Sequence, residues 1–327
     1  MKVKNIFIYL ILILALVISS GCSSKNENDS DLRIGFFSNI THSQALYGKN
    51  QGIFQKEIPD KNIQWKQFSA GSAEMEALLA GEIDIAYIGP GPSINGYARS
   101  NGEIQVISGA SHAGAILLSR KDLKINNISE LDGKKIAIPQ YGNTQDLALR
   151  ALLKENNLKD SSKGGTVEIY QAENSDIKTL LDNSQIDLAL VPEPWGARLV
   201  KEVNANVVLD YNEVWREGKY PTAIVVARKE FLEKHPEIVE KFIKTHISIT
   251  NYINENKESA KEIINNELEV LTKKPLPKDV LDNAFKRLVI TTDPEKKAIE
   301  EMVDLSVKAG FLRDKPDLKD LFKTGSK

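Results

Sequence analysis

Short apolar runs alternate with amphipathic stretches along the first third of the chain, and this alternation predicts an α/β fold. Runs typical of β-strands cover residues 32–37, 63–68, 83–88 and 104–108. Helical periodicity follows at 43–50, from 71 onwards and at 92–99, and Ser72 is expected to cap the second of these helices. This order of elements indicates a mainly parallel sheet flanked by helices.

A second block repeats the scheme with strands at 135–138, 167–171 and 186–191 and helices at 144–155, 175–182 and 194–203. Strand-like residues 115–119 are expected to leave the first block, and residues 223–227 to return to it. Four helices between 236 and 309 then form a helical C-terminal segment. We therefore predict two lobes joined by two crossover strands: residues 32–114 with 224–327 form lobe 1, and residues 115–223 form lobe 2.

An internal similarity supports two related lobes. The stretch GEIDIAYIGP at 81–90 resembles SQIDLALVP at 184–192. Each stretch follows a helix with a Leu-Leu pair and leads into a proline-rich loop before another helix. Because open α/β sheets bind ligands beyond the carboxyl ends of their strands, we expect the two loops to meet in a cleft between the lobes.

The N-terminus has the features of a lipoprotein signal peptide. Lys2 and Lys4 precede an apolar run from Ile6 to Ile18, which is too short for a permanent membrane span, and small residues lead to Cys22. Residues 1–21 are predicted to be removed, and residues 22–31 to form a lipidated cysteine and a flexible tether. The alternative is a plain secretory peptide, but Cys22 is the only cysteine and cannot form an internal disulfide.

Charge excludes one class of partner. Without Lys2 and Lys4 the chain carries 41 basic and 45 acidic residues, a net charge near −4. Such a chain has no overall basic field for nucleic acid, so any bound anion must be held by local groups. We expect a monomer of two lobes that contacts the membrane through its lipid alone.

Five loops at predicted strand ends are candidates for a binding site: residues 38–42, 89–93, 111–114, 140–145 and 192–195. Four of them lead into a helix, whose first turn has unsatisfied N–H groups and partial positive charge. That arrangement suits an anion. The alternative for any one loop is plain capping, in which Thr41, Ser93 or Thr144 satisfies only its own helix.

The other polar groups in these loops do not form a catalytic or metal-binding pattern. His42 and His112 lack a second ligand at zinc spacing, so we expect neither a metal nor another cofactor. Glu193 has no nucleophile motif beside it, which argues against an enzyme. We expect Glu193 to accept a hydrogen bond from a ligand amine or from the other lobe. Trp195 is expected to form an apolar wall, the alternative being a core residue behind a structural turn.

Five motifs resemble the aliphatic-sulfonate/nitrate/taurine substrate-binding family. They are NITH at 39–42, AGSAEMEAL at 70–78, DIAYIGP at 84–90, GNTQD at 142–146 and PEPW at 192–195. The resemblance implies a two-lobed periplasmic-binding-protein type II fold with the ligand bound at the hinge. It also implies a set of ligand-binding residues, to which we add Gln140 and Gln145 of the fourth loop. The full set is Asn39, Thr41, His42, Pro90, Gly91, Pro92, Ser93, His112, Gln140, Asn143, Thr144, Gln145, Glu193 and Trp195.

The resemblance also implies a function. The expected role is that of a lipid-anchored receptor on the extracytoplasmic face of the cell membrane. It would deliver a small organic oxyanion, foremost an aliphatic sulfonate, to the transmembrane permease of an ABC importer with a cytoplasmic ATPase. Alternative ligands are nitrate, bicarbonate, a thiamine-precursor pyrimidine and an amino-acid-like sulfur compound. Alternatives of another class are a lipid-anchored sensor subunit and an enzyme on the same fold.

Overall fold

The computed structural model describes residues 30–323, and its strands form two mixed sheets. Sheet I has six strands in the order β11-β4-β10-β3-β1-β2. They are β1 (Asp31–Phe37), β2 (Asn62–Phe68), β3 (Ile85–Ile88), β4 (Ile104–Ala113), β10 (Pro221–Arg228) and β11 (Leu288–Ile290). β1 and β3 are parallel, whereas β10 runs antiparallel to both β3 and β4.

Sheet II has five strands in the order β7-β6-β8-β5-β9. They are β5 (Ala115–Ser119), β6 (Lys135–Ile138), β7 (Glu168–Gln171), β8 (Leu188–Pro192) and β9 (Asn206–Leu209). β7, β6 and β8 are parallel, and β5 is antiparallel to β8 and β9. The predicted α/β class is confirmed. The predicted alternation accounts for the parallel pairs, and the crossing strands β5 and β10 make each sheet mixed.

Thirteen α-helices are described between residues 30 and 323. They are α1 (Ser43–Asn50), α2 (Ile53–Glu57), α3 (Gly71–Leu79), α4 (Pro90–Arg99), α5 (Thr144–Glu155), α6 (Asn174–Asp182), α7 (Trp195–Val203), α8 (Tyr211–Val214), α9 (Lys229–Lys234), α10 (Pro236–Glu255), α11 (Lys257–Thr272), α12 (Lys278–Lys286) and α13 (Lys296–Ala309). Amphipathic faces explain most of them: α10, for example, buries Ile238, Phe242 and Ile249 on one side. In the described part of the chain, no helix has the length and apolarity to cross a membrane.

The chain passes from sheet I to sheet II at Gly114, which separates β4 from β5, and returns between β9 and β10. Gly114 has a φ of 71°, and a Cβ there would lie 2.7 Å from Leu288 Cδ1. Both the left-handed backbone and the close packing require glycine. Two chain segments therefore connect the sheets, while the exact lobe boundaries stay a prediction.

The hydrophobic core extends from one sheet to the other through the C-terminal helix. One cluster contains Ile224 of sheet I, Leu190 of sheet II, and Ile299 and Met302 of α13. A separate cluster packs α10 to α12 against the other face of sheet I. Burial of aliphatic side chains is the main stabilising contribution here, at about 1.5–3 kcal/mol for each large side chain.

Four local predictions were wrong. Helix α4 begins at Pro90, so the second loop is mostly helix, because proline at the first helical position loses no hydrogen bond. Strand β4 continues to Ala113, so the third loop is mostly strand. Ser72 lies inside α3, whose N-cap is Ala70. The chain is not all helical after β10, since β11 pairs with the end of β4.

Candidate functional site

A cavity of about 330 Å³ lies between the carboxyl ends of six strands. Three belong to sheet I (β1, β2 and β3) and three to sheet II (β6, β7 and β8). The lining residues are Phe37, Ser38, Asn39, Thr41, His42, Gln67, Phe68, Ser69, Ala70, Gly71, Gly89, Pro92, Pro139, Gln140, Asn143, Thr144, Gln145, Gln171, Glu173, Asn174, Ser175, Pro192, Trp195 and Thr222. The volume fits a small molecule, and carboxyl strand ends are where open α/β sheets bind ligands.

Helix N-termini from both sheets reach this cavity. Ala70 and Gly71 begin α3, Gly89 precedes α4, and Glu173 precedes α6. None of the N-caps of α3, α4 and α6 accepts a side-chain cap hydrogen bond. The first turns of α3 and α6 can therefore offer backbone N–H groups, whereas α4 begins with Pro90 and Pro92, which have none. The partial positive ends of the helix dipoles favour a bound negative charge.

His42 presents a hydrogen-bond donor to the cavity in a fixed tautomer. Its Nδ1 accepts a hydrogen bond of 3.1 Å from the backbone N–H of Phe37, so the proton of the neutral ring lies on Nε2. Burial lowers the pKa of His42 to about 3. The ring stacks on Phe37 with centroids 4.8 Å apart. At neutral pH His42 therefore offers a neutral N–H donor.

Asn39 and Thr41 form a small capping turn at the cavity wall. The side-chain oxygen of Asn39 accepts hydrogen bonds from the backbone N–H of Thr41 at 3.0 Å and from its hydroxyl at 3.2 Å. The amide Nδ2 of Asn39 is thereby left as the group available to a ligand. The capping role predicted as an alternative for Thr41 is thus performed by Asn39, which retains a donor.

The start of α5 supplies further donors from sheet II. Asn143 caps the helix through its side-chain oxygen, which accepts from the backbone N–H of Asp146 at 2.9 Å. Its Nδ2 donates to Gln145 Oε1 at 3.2 Å, which leaves Gln145 Nε2 as a donor. Thr144 is buried and lines the cavity. The capping role predicted as an alternative for Thr144 is performed by Asn143 instead.

Gln140, Pro92 and Trp195 complete the part of the predicted site that lines the cavity. Gln140 Nε2 donates to Ser72 Oγ at 2.7 Å, a hydrogen bond from the loop after β6 to the first turn of α3. Trp195 is the first residue of α7, and the guanidinium of Arg198 lies 4.6 Å from its ring centroid. The predicted apolar wall is thus made of a proline ring and an indole.

Three predicted residues at the start of α4 do not line the cavity: Pro90, Gly91 and Ser93. Ser93 lies in the first turn of the helix, where its hydroxyl donates to the Gly89 carbonyl at 2.9 Å. A Cβ on Gly91 would lie 2.7 Å from the carbonyl oxygen of Gly142. Glycine at 91 therefore lets α4 contact the loop that begins α5.

His112 and Glu193 are also absent from the cavity wall. His112 lies in β4, and its Nε2 is 2.6 Å from the carbonyl oxygen of Asp293, in the segment after β11, so this nitrogen is engaged away from the cavity. Glu193 is fully buried; its Oε2 accepts from the Ala197 N–H at 2.8 Å and its Oε1 from Arg287 at 3.1 Å. Burial raises the pKa of the Glu193 carboxyl, while these two donors oppose that rise.

Glu173 was missed by the sequence prediction. It is exposed, and it is the one acidic side chain among the lining residues; no lysine or arginine is found among them. The neighbouring Asn174 also lines the cavity, and its buried Oδ1 accepts no hydrogen bond. The cavity edge at the end of β7 is therefore rich in acceptors, whereas His42 and Thr144 supply donors. An acidic residue two positions before the predicted helix at 175–182 was the available signal.

The described residues, 30–323, contain no group of three or more metal-ligating side chains. The predicted lipidation site Cys22, with the signal peptide, lies outside these residues.

The family model described as NMT1-like matches residues 25–266. The chain belongs to the NMT1-like family. This membership agrees with the resemblance inferred from the motifs, all five of which contribute residues to the cavity wall.

Two curated relatives of this NMT1-like protein have sulfonate-related names. A Bacillus subtilis (strain 168) protein, assigned as aliphatic sulfonates-binding, is 24% identical over 97% of this chain and 92% of its own length. The taurine-binding periplasmic protein of Escherichia coli (strain K12) is 32% identical over 62% of this chain and 61% of its own. Among solved structures, the alkanesulfonate-binding protein SsuA from Xanthomonas axonopodis pv. citri bound to MOPS has a TM-score of 0.76 at 17% identity. That match covers 90% of this chain and 98% of the other.

Proposed function

We propose that this NMT1-like protein is the extracytoplasmic solute receptor of an ABC importer and that it captures an aliphatic sulfonate in the cavity. The observation that supports this most is the set of neutral donors on the cavity wall. His42 Nε2, Asn39 Nδ2, Thr144 Oγ1 and Gln145 Nε2 are all available to an oxyanion. Uncapped helix N-termini add positive potential without a cationic side chain.

The proposed ligand fits this wall by its shape and charge. A sulfonate has three acceptor oxygens and one delocalised negative charge, which suits several neutral donors from different directions. Pro92, Trp195 and Phe68 supply apolar surface for the attached carbon chain. Nitrate and bicarbonate would use the same donors but would leave this apolar surface without a partner.

Capture is proposed to involve closure of the predicted lobes, 32–114 with 224–327 against 115–223, about the segments that connect the sheets. Contacts from both sheets to one ligand stabilise the closed arrangement. The closed protein would then be recognised by a permease. Anchoring through Cys22 at the outer face of the membrane belongs to this proposal, as does the monomeric state.

Glu173 favours a second candidate ligand, a zwitterionic aminosulfonate. A carboxylate at the cavity edge repels a simple anion and attracts an ammonium group. The unpaired Asn174 Oδ1 is a second acceptor on the same edge. A sulfonate bound at the donor wall would place an amine a few bonds away towards these acceptors.

Native mass spectrometry of freshly purified protein tests the proposal without a choice of ligand. A co-purified mass that fragments to a sulfonate supports it. A co-purified neutral heterocycle, or turnover of any captured compound during incubation, would instead favour the pyrimidine or enzyme alternative.

A further inference from the structure

Arg287 connects the two sheets beside the place where the chain crosses between them. It follows α12 and directly precedes β11, the edge strand of sheet I. Its Nη1 donates to Glu193 Oε1 at 3.1 Å and its Nε to Asp210 Oδ1 at 2.7 Å. Glu193 follows β8 and Asp210 follows β9, so one guanidinium from sheet I holds the ends of two strands of sheet II.

The crossing strand runs between those two strands. In sheet II, β5 lies between β8 and β9 and begins directly after Gly114. The Glu193 N–H donates to the Gly114 carbonyl at 2.6 Å. Leu288, next to Arg287, packs so tightly on Gly114 that a Cβ there would lie 2.7 Å from its Cδ1. Arg287 and its partners therefore surround one of the two connections.

The hydrogen bonds of Glu193 connect Arg287 to the cavity wall. The second oxygen of Glu193 accepts the Ala197 N–H and so fixes the first turn of α7. Trp195 begins that turn and lines the cavity, whereas neither Arg287 nor Glu193 does. The path from the sheet I guanidinium to the cavity wall is thus Arg287, Glu193, α7 and Trp195.

We propose that Arg287 is a positioning residue for ligand capture, which acts from outside the cavity by holding sheet II and Trp195 in the ligand-binding arrangement. The carboxylate of Glu193 is fully buried and the Arg287 side chain is 17% exposed. Charged groups removed from water interact strongly, and their geometry is specific when the donor is a guanidinium. Loss of the guanidinium would leave the buried carboxylate with one N–H donor.

The chain contains a matched control between α12, which Arg287 follows, and α7, which Glu193 precedes. Lys201 of α7 pairs with Asp279 of α12 at 2.6 Å, but both side chains are at least half exposed. Exposed pairs of this kind contribute little. Lys201→Gln therefore removes an ion pair between the same helices without disturbing the contact at Gly114.

The ligand experiment rests on the proposed function and uses ethanesulfonate as the probe. Arg287→Gln should release ethanesulfonate at least about tenfold faster than the wild type in stopped-flow measurements, because altered contacts act mainly on dissociation. Arg287→Lys should recover part of the loss, and Lys201→Gln should dissociate at the wild-type rate. A merely structural role would lower the fraction of binding-competent protein and leave the dissociation rate of that fraction unchanged. That result, or a wild-type rate in Arg287→Gln, would overturn the proposal.

A second measurement does not depend on the ligand. Small-angle scattering of the unliganded full chain should give a larger radius of gyration for Arg287→Gln than for the wild type and Lys201→Gln. Equal radii for all three proteins would overturn the proposal even if ethanesulfonate fails to bind. Failure of the wild type to bind, together with an expanded Arg287→Gln, would reject only the proposed ligand.

Discussion

At the level of single residues, the cavity wall offers an anion hydrogen-bond donors that have no charge. Thr144 provides a hydroxyl at the start of α5, where the N-cap role is already taken by Asn143. Thr144→Val keeps the side-chain shape and removes that donor. It should weaken sulfonate binding by roughly tenfold or more, because a hydrogen bond to a charged group contributes about 1.5–3 kcal/mol.

Titration calorimetry of Thr144→Val and Thr144→Ser checks this prediction. Thr144→Ser retains the hydroxyl and should bind within a few-fold of the wild type. Equal affinities for the valine variant and the wild type would show that the Thr144 hydroxyl does not contact the ligand.

Glu173 is predicted to determine selectivity between a zwitterion and a simple anion. Glu173→Gln should lower the affinity for 2-aminoethanesulfonate and raise that for ethanesulfonate, because the carboxylate attracts the ammonium group and repels the sulfonate. Asp176→Asn, in the first turn of the same helix but not in the cavity wall, is the control and should change neither affinity. If both affinities of Glu173→Gln equal those of the wild type, the aminosulfonate candidate is wrong.

At the scale of elements, α3 contains a buried carboxyl, Glu74, that has no hydrogen-bond donor. Both carboxyl oxygens of Glu74 are buried without a hydrogen-bond donor, and desolvation raises the pKa of this carboxyl well above its usual value. Below its unfolded pKa such a carboxyl is neutral in both states; as pH rises from there towards the raised folded pKa, the unfolded state ionises and the folded protein loses stability. Glu74→Gln should therefore be more stable than the wild type at pH 8, with the difference shrinking towards pH 4.

Thermal melts of Glu74→Gln and wild type from pH 4 to pH 8 measure that difference. Glu76→Gln, on the exposed face of the same helix, is the control and should show no such trend. A difference between Glu74→Gln and wild type that stays constant across this range would contradict the assigned burial cost.

The bounds of individual strands and helices show what sequence patterns can and cannot predict. Apolar strands and helices with clear amphipathic faces, such as β5 and α5, were located with the observed bounds. The end of β4 was missed because GASHA contains small and polar residues; partners far along the chain, β10 and β11, make it a strand. The start of α4 was missed because glycine and proline indicate turns as often as helix starts.

Site residues show the same contrast between local sequence signals, which were read correctly, and contacts between distant residues, which were not. Asn39, His42, Asn143 and Thr144 were predicted from loops next to helix starts, and the local chain places them at the cavity. Glu193 accepts a hydrogen bond from Arg287 of the other predicted lobe, which is one of its two expected roles, although a partner 94 residues away could not be identified from sequence. Its burial removes it from the cavity, and Glu173 is the acidic side chain there instead.

At the scale of the whole molecule, two sheets face one cavity, and the chain has excess negative charge overall. The 43 basic and 45 acidic residues of the full chain create no attraction for an anion at long range. Binding must therefore come from the donor groups of the wall, and selectivity from the apolar surface beside them. This combination distinguishes an organic sulfonate from an inorganic anion and from a neutral molecule of the same shape.

Isothermal titration of the purified protein with ethanesulfonate, 1-propanol and nitrate tests this claim most directly. The account predicts one site per chain for ethanesulfonate, no measurable binding of 1-propanol, and weaker binding of nitrate. At a hundred times its dissociation constant, ethanesulfonate should also stabilise the folded protein by about 2.7 kcal/mol. Nitrate binding as tight as that of ethanesulfonate would show that the site recognises only the oxyanion. If no anion binds while a neutral pyrimidine does, the account of the donor wall is contradicted.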